Sequence, residues 1–227
     1  MAVATGDRRL RYRLWAAYCS TPAHRLRLWG RAPKALALSL DERWPGDPRR
    51  GEAIVEGTLR FAGETVTRAD PPWDPGLASA DWQAELHGFA WLADLAAVAS
   101  EGATQKARAL LETWLERHDR WHSLVWRADV MGERLYAWIA YAELLAPEAG
   151  DAALRRAFLR SLGRQARHLR RSAGWEAMGL GRFAALKGLL AAEIALAAGD
   201  RELDAVLARL EAEAKEQILP DGGHRAR

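Results

Sequence analysis

Apolar residues recur at i, i+3, i+4 and i+7 through most of the chain beyond residue 80, the spacing that keeps one face of a helix buried. The pattern predicts helices near 81–99, 103–118, 129–146, 151–171, 179–198 and 201–219. Helix-breaking or polar turns separate them at Glu101-Gly102, His118-Asp119, Pro147 to Gly150, Ala173-Gly174 and Gly199-Asp200. Short connections between helices of similar length imply antiparallel hairpins. The stretch AALKGLLAAEIALAAG offers a small-residue face for close helix packing. No strict solenoid repeat is visible. The predicted fold is all-α, an incomplete (α/α) toroid of antiparallel helical hairpins with a small N-terminal β-hairpin.

Upstream the pattern changes. Leu10, Leu14, Trp15 and Tyr18 share helical spacing among arginines, which predicts a basic amphipathic helix. Such a helix can pack on its own domain or rest on an anionic membrane surface, and residues 8–31 carry almost no acid to oppose the second option. Residues 30–51 are rich in Gly, Pro and Arg and read as a connector. In GEAIVEGTLRFAGETVTR, short β-favouring runs around Gly57 and Ala62-Gly63 predict a hairpin at about 52–67. DPPWDPG, from Asp70 to Gly76, then interrupts regular structure. The organisation expected is a basic helix and connector at 1–50, then a helical domain at 51–227.

Composition narrows the function classes. The 227 residues are 49% hydrophobic and 28% charged, enough apolar material for a sizeable core. A net charge of +3, with both signs interleaved, gives no footprint for nucleic acid. Cys19 is the single cysteine, so no intrachain disulfide and no Cys-based zinc site are expected. No apolar h-region precedes a cleavage site and no run reaches roughly 18 uncharged apolar residues. A cytoplasmic chain is the expectation. Eleven Trp against four Phe and four Tyr is unusual, and Trp suits both cores and sugar platforms.

Four blocks in order, RRGEAIVEGTLRFAG, WQAELHGFAWLADL, WRADVMGERLYAW and QILPDGGH, resemble the heparinase II/III family of polysaccharide lyases over roughly residues 45–227. The resemblance implies a helical toroid, a C-terminal β-sandwich domain beyond Arg227 as its partner, and an acidic polysaccharide bound between the two. It also implies β-elimination at a uronate, a periplasmic alternative for the compartment, and no cofactor. On that basis the chain is expected to be a helical domain separated from its partner and inactive by itself.

A uronate lyase must neutralise a carboxylate, remove the C5 proton and protonate the departing O4. The family's Asn-His pair falls on GWEAMGLGRFAALKGL here, which holds Arg182 but neither Asn nor His, and the chain contains no Asn. His224 is the remaining catalytic candidate. Trp126, Arg134, Arg182, Asp221 and Arg225 are the substrate-binding candidates, because aromatic faces stack on sugars and arginines fork onto carboxylates. They are expected to share one concave, solvent-reachable rim. The competing reading has Asp129 cap its helix, Arg134 tethered by a carboxylate as a buried, paired residue, Trp126 and Trp138 core, Tyr136 and Tyr141 core, and His87 a satisfied interior hydrogen bonder. His118 and His122 are four apart without a third ligand, so no metal site is expected there. Two further functions stand beside the lyase: a non-catalytic helical carbohydrate-binding or scaffold domain, and a basic membrane-peripheral helical protein.

Overall fold

The computed structural model describes residues 2–38, 40, 45–68, 70–74, 76–118, 120–177 and 179–223, with side chains from Leu10 onward. Among them the protein is mostly helical, with one two-stranded antiparallel sheet. The helices are α1 (Ala2–Cys19), α2 (Pro22–Arg27), α3 (Pro48–Val55), α4 (Ala80–Gly88), α5 (Leu92–Val98) and α6 (Glu101–Arg117). They continue with α7 (Ala128–Ala140), α8 (Ala142–Leu145), α9 (Ala152–Ser172), α10 (Leu180–Ala195) and α11 (Asp200–Gln217).

Local chemistry sets several of these boundaries. Ser79, Ser100 and Asp151 stand at N-caps and accept from the otherwise orphaned amides of Trp82, Ala103 and Ala153. The single helix expected at 81–99 is two, because Phe89 closes α4 in the left-handed region at φ 61° and turns the chain into α5. The helix expected at 129–146 is likewise divided at Tyr141 into α7 and α8. Residues 48–55, expected as connector and strand, are helix α3. Asp47 caps it by accepting from the Arg49 amide at 2.9 Å, and Pro48 supplies a helical φ at its start.

The hairpin itself is shorter than expected, β1 (Thr58–Phe61) paired with β2 (Glu64–Thr67) in the register Phe61↔Glu64 to Thr58↔Thr67. Ala62 and Gly63 connect the strands with positive φ at both residues (48° and 78°), the backbone of a type I′ turn. Leu59 and Phe61 point inward, and Phe61 meets Trp82 with ring centroids 5.5 Å apart.

The core is aromatic. Trp82, Phe89, Trp114, Trp126, Trp138 and Phe158 are fully buried. Trp138 receives Phe89 and Trp114 edge-to-face at 5.5 and 5.1 Å, the arrangement favoured by ring quadrupoles. Helices α7 and α10 approach most closely at Gly132 and Gly188, where a methyl on either residue would fall on backbone of the opposite helix. The first helices are docked on this body. Arg167 Nε donates to the Leu28 carbonyl at 2.8 Å, the Ala37 amide donates to the Ala195 carbonyl at 2.7 Å, and Trp15 packs edge-on to Trp175 at 5.3 Å.

Candidate functional site

The sequence-derived candidates do not assemble into one rim. Arg134 is 0% exposed and Trp126 is buried beside it in the core. The guanidinium donates from Nε to Gln165 Oε1 at 2.7 Å, from Nη1 to the His87 carbonyl at 2.8 Å, and from Nη2 to the Val125 carbonyl at 2.9 Å. Its plane lies over the Trp114 ring, 4.6 Å from the centroid. Burial pushes its pKa down to about 9, so it stays charged at neutral pH, its donors occupied by neutral acceptors on three segments. This side chain ties α4, the approach to α7, and α9 together, and it reaches no solvent.

Arg182, in the first turn of α10, is half-buried and pairs with the buried carboxylate of Glu213 on α11 at 2.7 Å, while Nε donates to the Ala177 carbonyl. Asp221 lies exposed in the final turn and accepts from the Gly223 amide. His224 and Arg225 lie outside the described residues. The expected concave rim is therefore corrected at Trp126 and Arg134: both are interior because their positions fall on the apolar face of α7 and its approach.

The competing interior readings fare better, except that Arg134 is tethered by neutral acceptors and not by the carboxylate expected. His87 Nδ1 accepts from Trp114 Nε1 at 3.1 Å, and burial, with His118 next, drives its pKa down to about 2. His118 is lowered to about 4, again by burial first and then by Arg134. Both are neutral imidazoles at physiological pH. With Trp73, Gln83 and Trp121 they line a pocket of about 380 Å³. Tyr136 and Tyr141 are half-buried and pack against the core. Asp129 does not cap α7; it forks with Arg127 at 2.7 and 2.9 Å.

The strongest surface feature lies elsewhere, where α2 and the residues just after it meet α9. A groove of about 760 Å³ is lined by Arg25, Leu26, Trp29, Arg160, Arg164 and Arg167, among others. Trp29 is 80% exposed and Leu26 63%, while Leu10 and Leu14 are exposed on α1. Arg11 and Arg13 are exposed on α1, Arg11 lying over the Trp175 ring at 5.5 Å, and Arg25, Arg27 and Arg31 are exposed on and just after α2. The Arg167 pKa is lowered, by burial first and then by the neighbouring Arg164, Arg170 and Arg171, the mark of a crowded cationic surface. Of the α9 arginines, Arg170 is held by a carboxylate, that of Glu193. Leu26 and Trp29, standing in water beside the guanidiniums that line this groove, have the chemistry of a site for anionic amphiphiles. Residues 8–31 carried that signal in the sequence; the contribution of Arg160, Arg164 and Arg167 did not show, because α9 comes more than a hundred residues later.

No helix among the described residues is long and apolar enough to cross a membrane. No family model matches the chain, and no solved structure matches it. Over 206 residues it is 31% identical to FtsZ-localized protein C of Caulobacter vibrioides (strain NA1000 / CB15N), an alignment covering 90% of this chain and 35% of that protein. The chain thus spans about a third of that relative's length. The relative is named for its place with FtsZ, and this overturns the labels of glycosaminoglycan-directed lyase and carbohydrate binder drawn from the four sequence blocks. The mostly helical content agrees with the expected all-α class.

Proposed function

We propose that this chain is a helical module of a bacterial division-site protein that rests on an anionic lipid surface through α1, α2 and the arginine face of α9. The observation that carries the reading is the exposure of Trp29 and Leu26 in a groove lined by Arg25, Arg160, Arg164 and Arg167, on a chain similar to an FtsZ-localized protein; Leu10 and Leu14, exposed on the basic helix α1, extend it in this reading. The hairpins from α4 to α11 form, in this reading, an arc of an (α/α) toroid used as a scaffold. The compartment is the cytoplasm, where an anionic inner leaflet is available to the arginines.

Magnitudes support surface attachment without insertion. Each arginine near an anionic bilayer contributes about 1 kcal/mol. A tryptophan and a leucine leaving water add about 1.5–3 kcal/mol each when fully buried, and less at an interface. The sum reaches the micromolar range, about −8 kcal/mol, which suits reversible recruitment.

The test is a fluorescently tagged chain expressed in dividing Caulobacter vibrioides. The expected result is a band coincident with FtsZ that a Leu26→Ser/Trp29→Ser double variant loses. Uniform fluorescence from the unaltered chain overturns the proposal.

A further inference from the structure

Behind the basic groove lies a cluster that the proposed surface attachment does not use. Cys19 ends α1, His24 sits in α2, and His168 projects from α9, and all three are buried. One ligand atom from each lies within 4.8 Å of the other two. His24 Nε2 and His168 Nδ1 are 3.0 Å apart, with their rings nearly perpendicular at 87°. Trp15, Trp126 and Tyr18 wall the cluster, with ring centroids between 5.3 and 5.5 Å from one or other imidazole.

We propose that Cys19, His24 and His168 form a binding site for one zinc-class divalent cation, which fastens α1 and α2 to α9. A single cysteine excludes the Cys-rich zinc motifs, but it does not exclude a mixed Cys-His-His set, which leaves the fourth position to water. Bond lengths of about 2.0–2.1 Å to nitrogen at a tetrahedral angle place two ligating nitrogens about 3.3 Å apart. His24 Nε2 and His168 Nδ1 are within a few tenths of an ångström of that. Sulfur needs about 3.5 Å to each nitrogen with a bond of about 2.3 Å, so from separations within 4.8 Å an adjustment of at most about 1.3 Å by Cys19 completes the set.

Both imidazoles are suited to ligation as neutral rings. Burial lowers the His168 pKa to about 3, with His24 the next cause, and burial lowers His24 as well, with Arg171 next. The Cys19 carbonyl opposes the fall at His24, although Nδ1 makes no hydrogen bond of full geometry to it. When the cation takes Nε2, the ring proton resides on Nδ1.

The ion exchanges for one proton. The Cys19 thiol, pushed up to about 12 by burial and then by the Glu176 carboxylate, gives up its proton to solvent as the sulfur–metal bond forms. The histidines change tautomer without net loss.

The site predicts a metal-dependent hold on the membrane-facing helices. The full chain, dialysed against chelator, is titrated with cobalt(II). One equivalent should give thiolate-to-cobalt charge-transfer absorption in the near ultraviolet together with visible d–d bands, and zinc should displace both. Cys19→Ser should remove the charge-transfer band and weaken cobalt binding at least about 100-fold, above the range seen for losing an outer partner. His168→Gln should lose the d–d intensity, and His122→Ala should behave as wild type. Zinc should also slow proteolysis within residues 2–38 in wild type and leave the Cys19→Ser rate unchanged. Absence of a charge-transfer band in protein with its native helical circular dichroism overturns the proposal. So does a band that Cys19→Ser retains.

Discussion

Replacing Arg134 probes the most heavily constrained side chain in the core. In Arg134→Met the apolar volume is roughly kept, but Gln165 Oε1 and the carbonyls of His87 and Val125 lose their donors. Each buried acceptor left unpaired costs about 1–3 kcal/mol, a gross penalty of about 3–9. Removing a buried charge that no carboxylate neutralises returns several kcal/mol of desolvation. The net expectation is a loss of about 2–5 kcal/mol. Arg134→Ala adds a cavity under Trp114 and should lose more, a large part of the about 5–15 kcal/mol available to a domain. Arg134→Lys keeps the charge but cannot reach three acceptors held in a guanidinium fork, so it should fall between wild type and Met. Urea denaturation followed by tryptophan fluorescence and far-ultraviolet circular dichroism gives the measurement, a lower midpoint at unchanged slope. A loss below about 0.5 kcal/mol for Arg134→Ala, the size of a surface change, would refute the reasoning.

Other expectations follow from the same packing. Gly188→Ala should destabilise by about 1–3 kcal/mol or force α7 and α10 apart, because its methyl meets the Gly132 backbone; thermal melting would detect it. Acid should unfold the protein through His87 and His118, whose folded-state pKa values (about 2 and about 4) lie below the unfolded 6.5. The unfolded chain binds more protons in that window, so stability is full above pH 6.5 and falls by up to about 1.4 kcal/mol per histidine per pH unit towards those values. Urea midpoints at pH 7, 5.5 and 4.5 that do not decline would contradict it. Glu176 behaves oppositely. Burial raises its pKa to about 7, the Ser172 hydroxyl opposing without full hydrogen-bond geometry, so its contribution is lost as pH rises from 4.5 through 7. Glu176→Gln should therefore stabilise the protein at pH 8 by about 1–3 kcal/mol and do little at pH 4.5.

Periodicity located the helices from α6 onward to within a few residues, the division at Tyr141 apart, because each keeps one apolar stripe between clear breakers. It missed the division at Phe89, since a left-handed non-glycine residue leaves no mark in an apolar pattern. Helix α3 was also missed, although Asp47-Pro48 is an N-cap signature, because Ile54-Val55 and Gly51 read as strand and turn. Arg134 could have been placed inside: Val130 and Trp138, four residues to either side, put it on the buried face of α7. The basic character of residues 8–31 was visible, and so was the unusual tryptophan content. The cluster of Cys19, His24 and His168 was not, since its histidines are 144 positions apart and only the docking of α2 on α9 joins them.

The central claim is that the α1–α2–α9 face holds the chain on anionic lipid. Flotation of the purified chain with vesicles of phosphatidylglycerol and phosphatidylethanolamine tests it most directly. At 0.15 M salt the chain should float with these vesicles and stay in solution with phosphatidylcholine alone. At 1 M salt, where the screening length falls to about 3 Å, much of the bound fraction should be released. Trp29→Ser with Leu26→Ser should weaken binding by about tenfold or more without changing helicity. A chain that stays in solution with anionic vesicles, or floats equally with zwitterionic ones, contradicts the account.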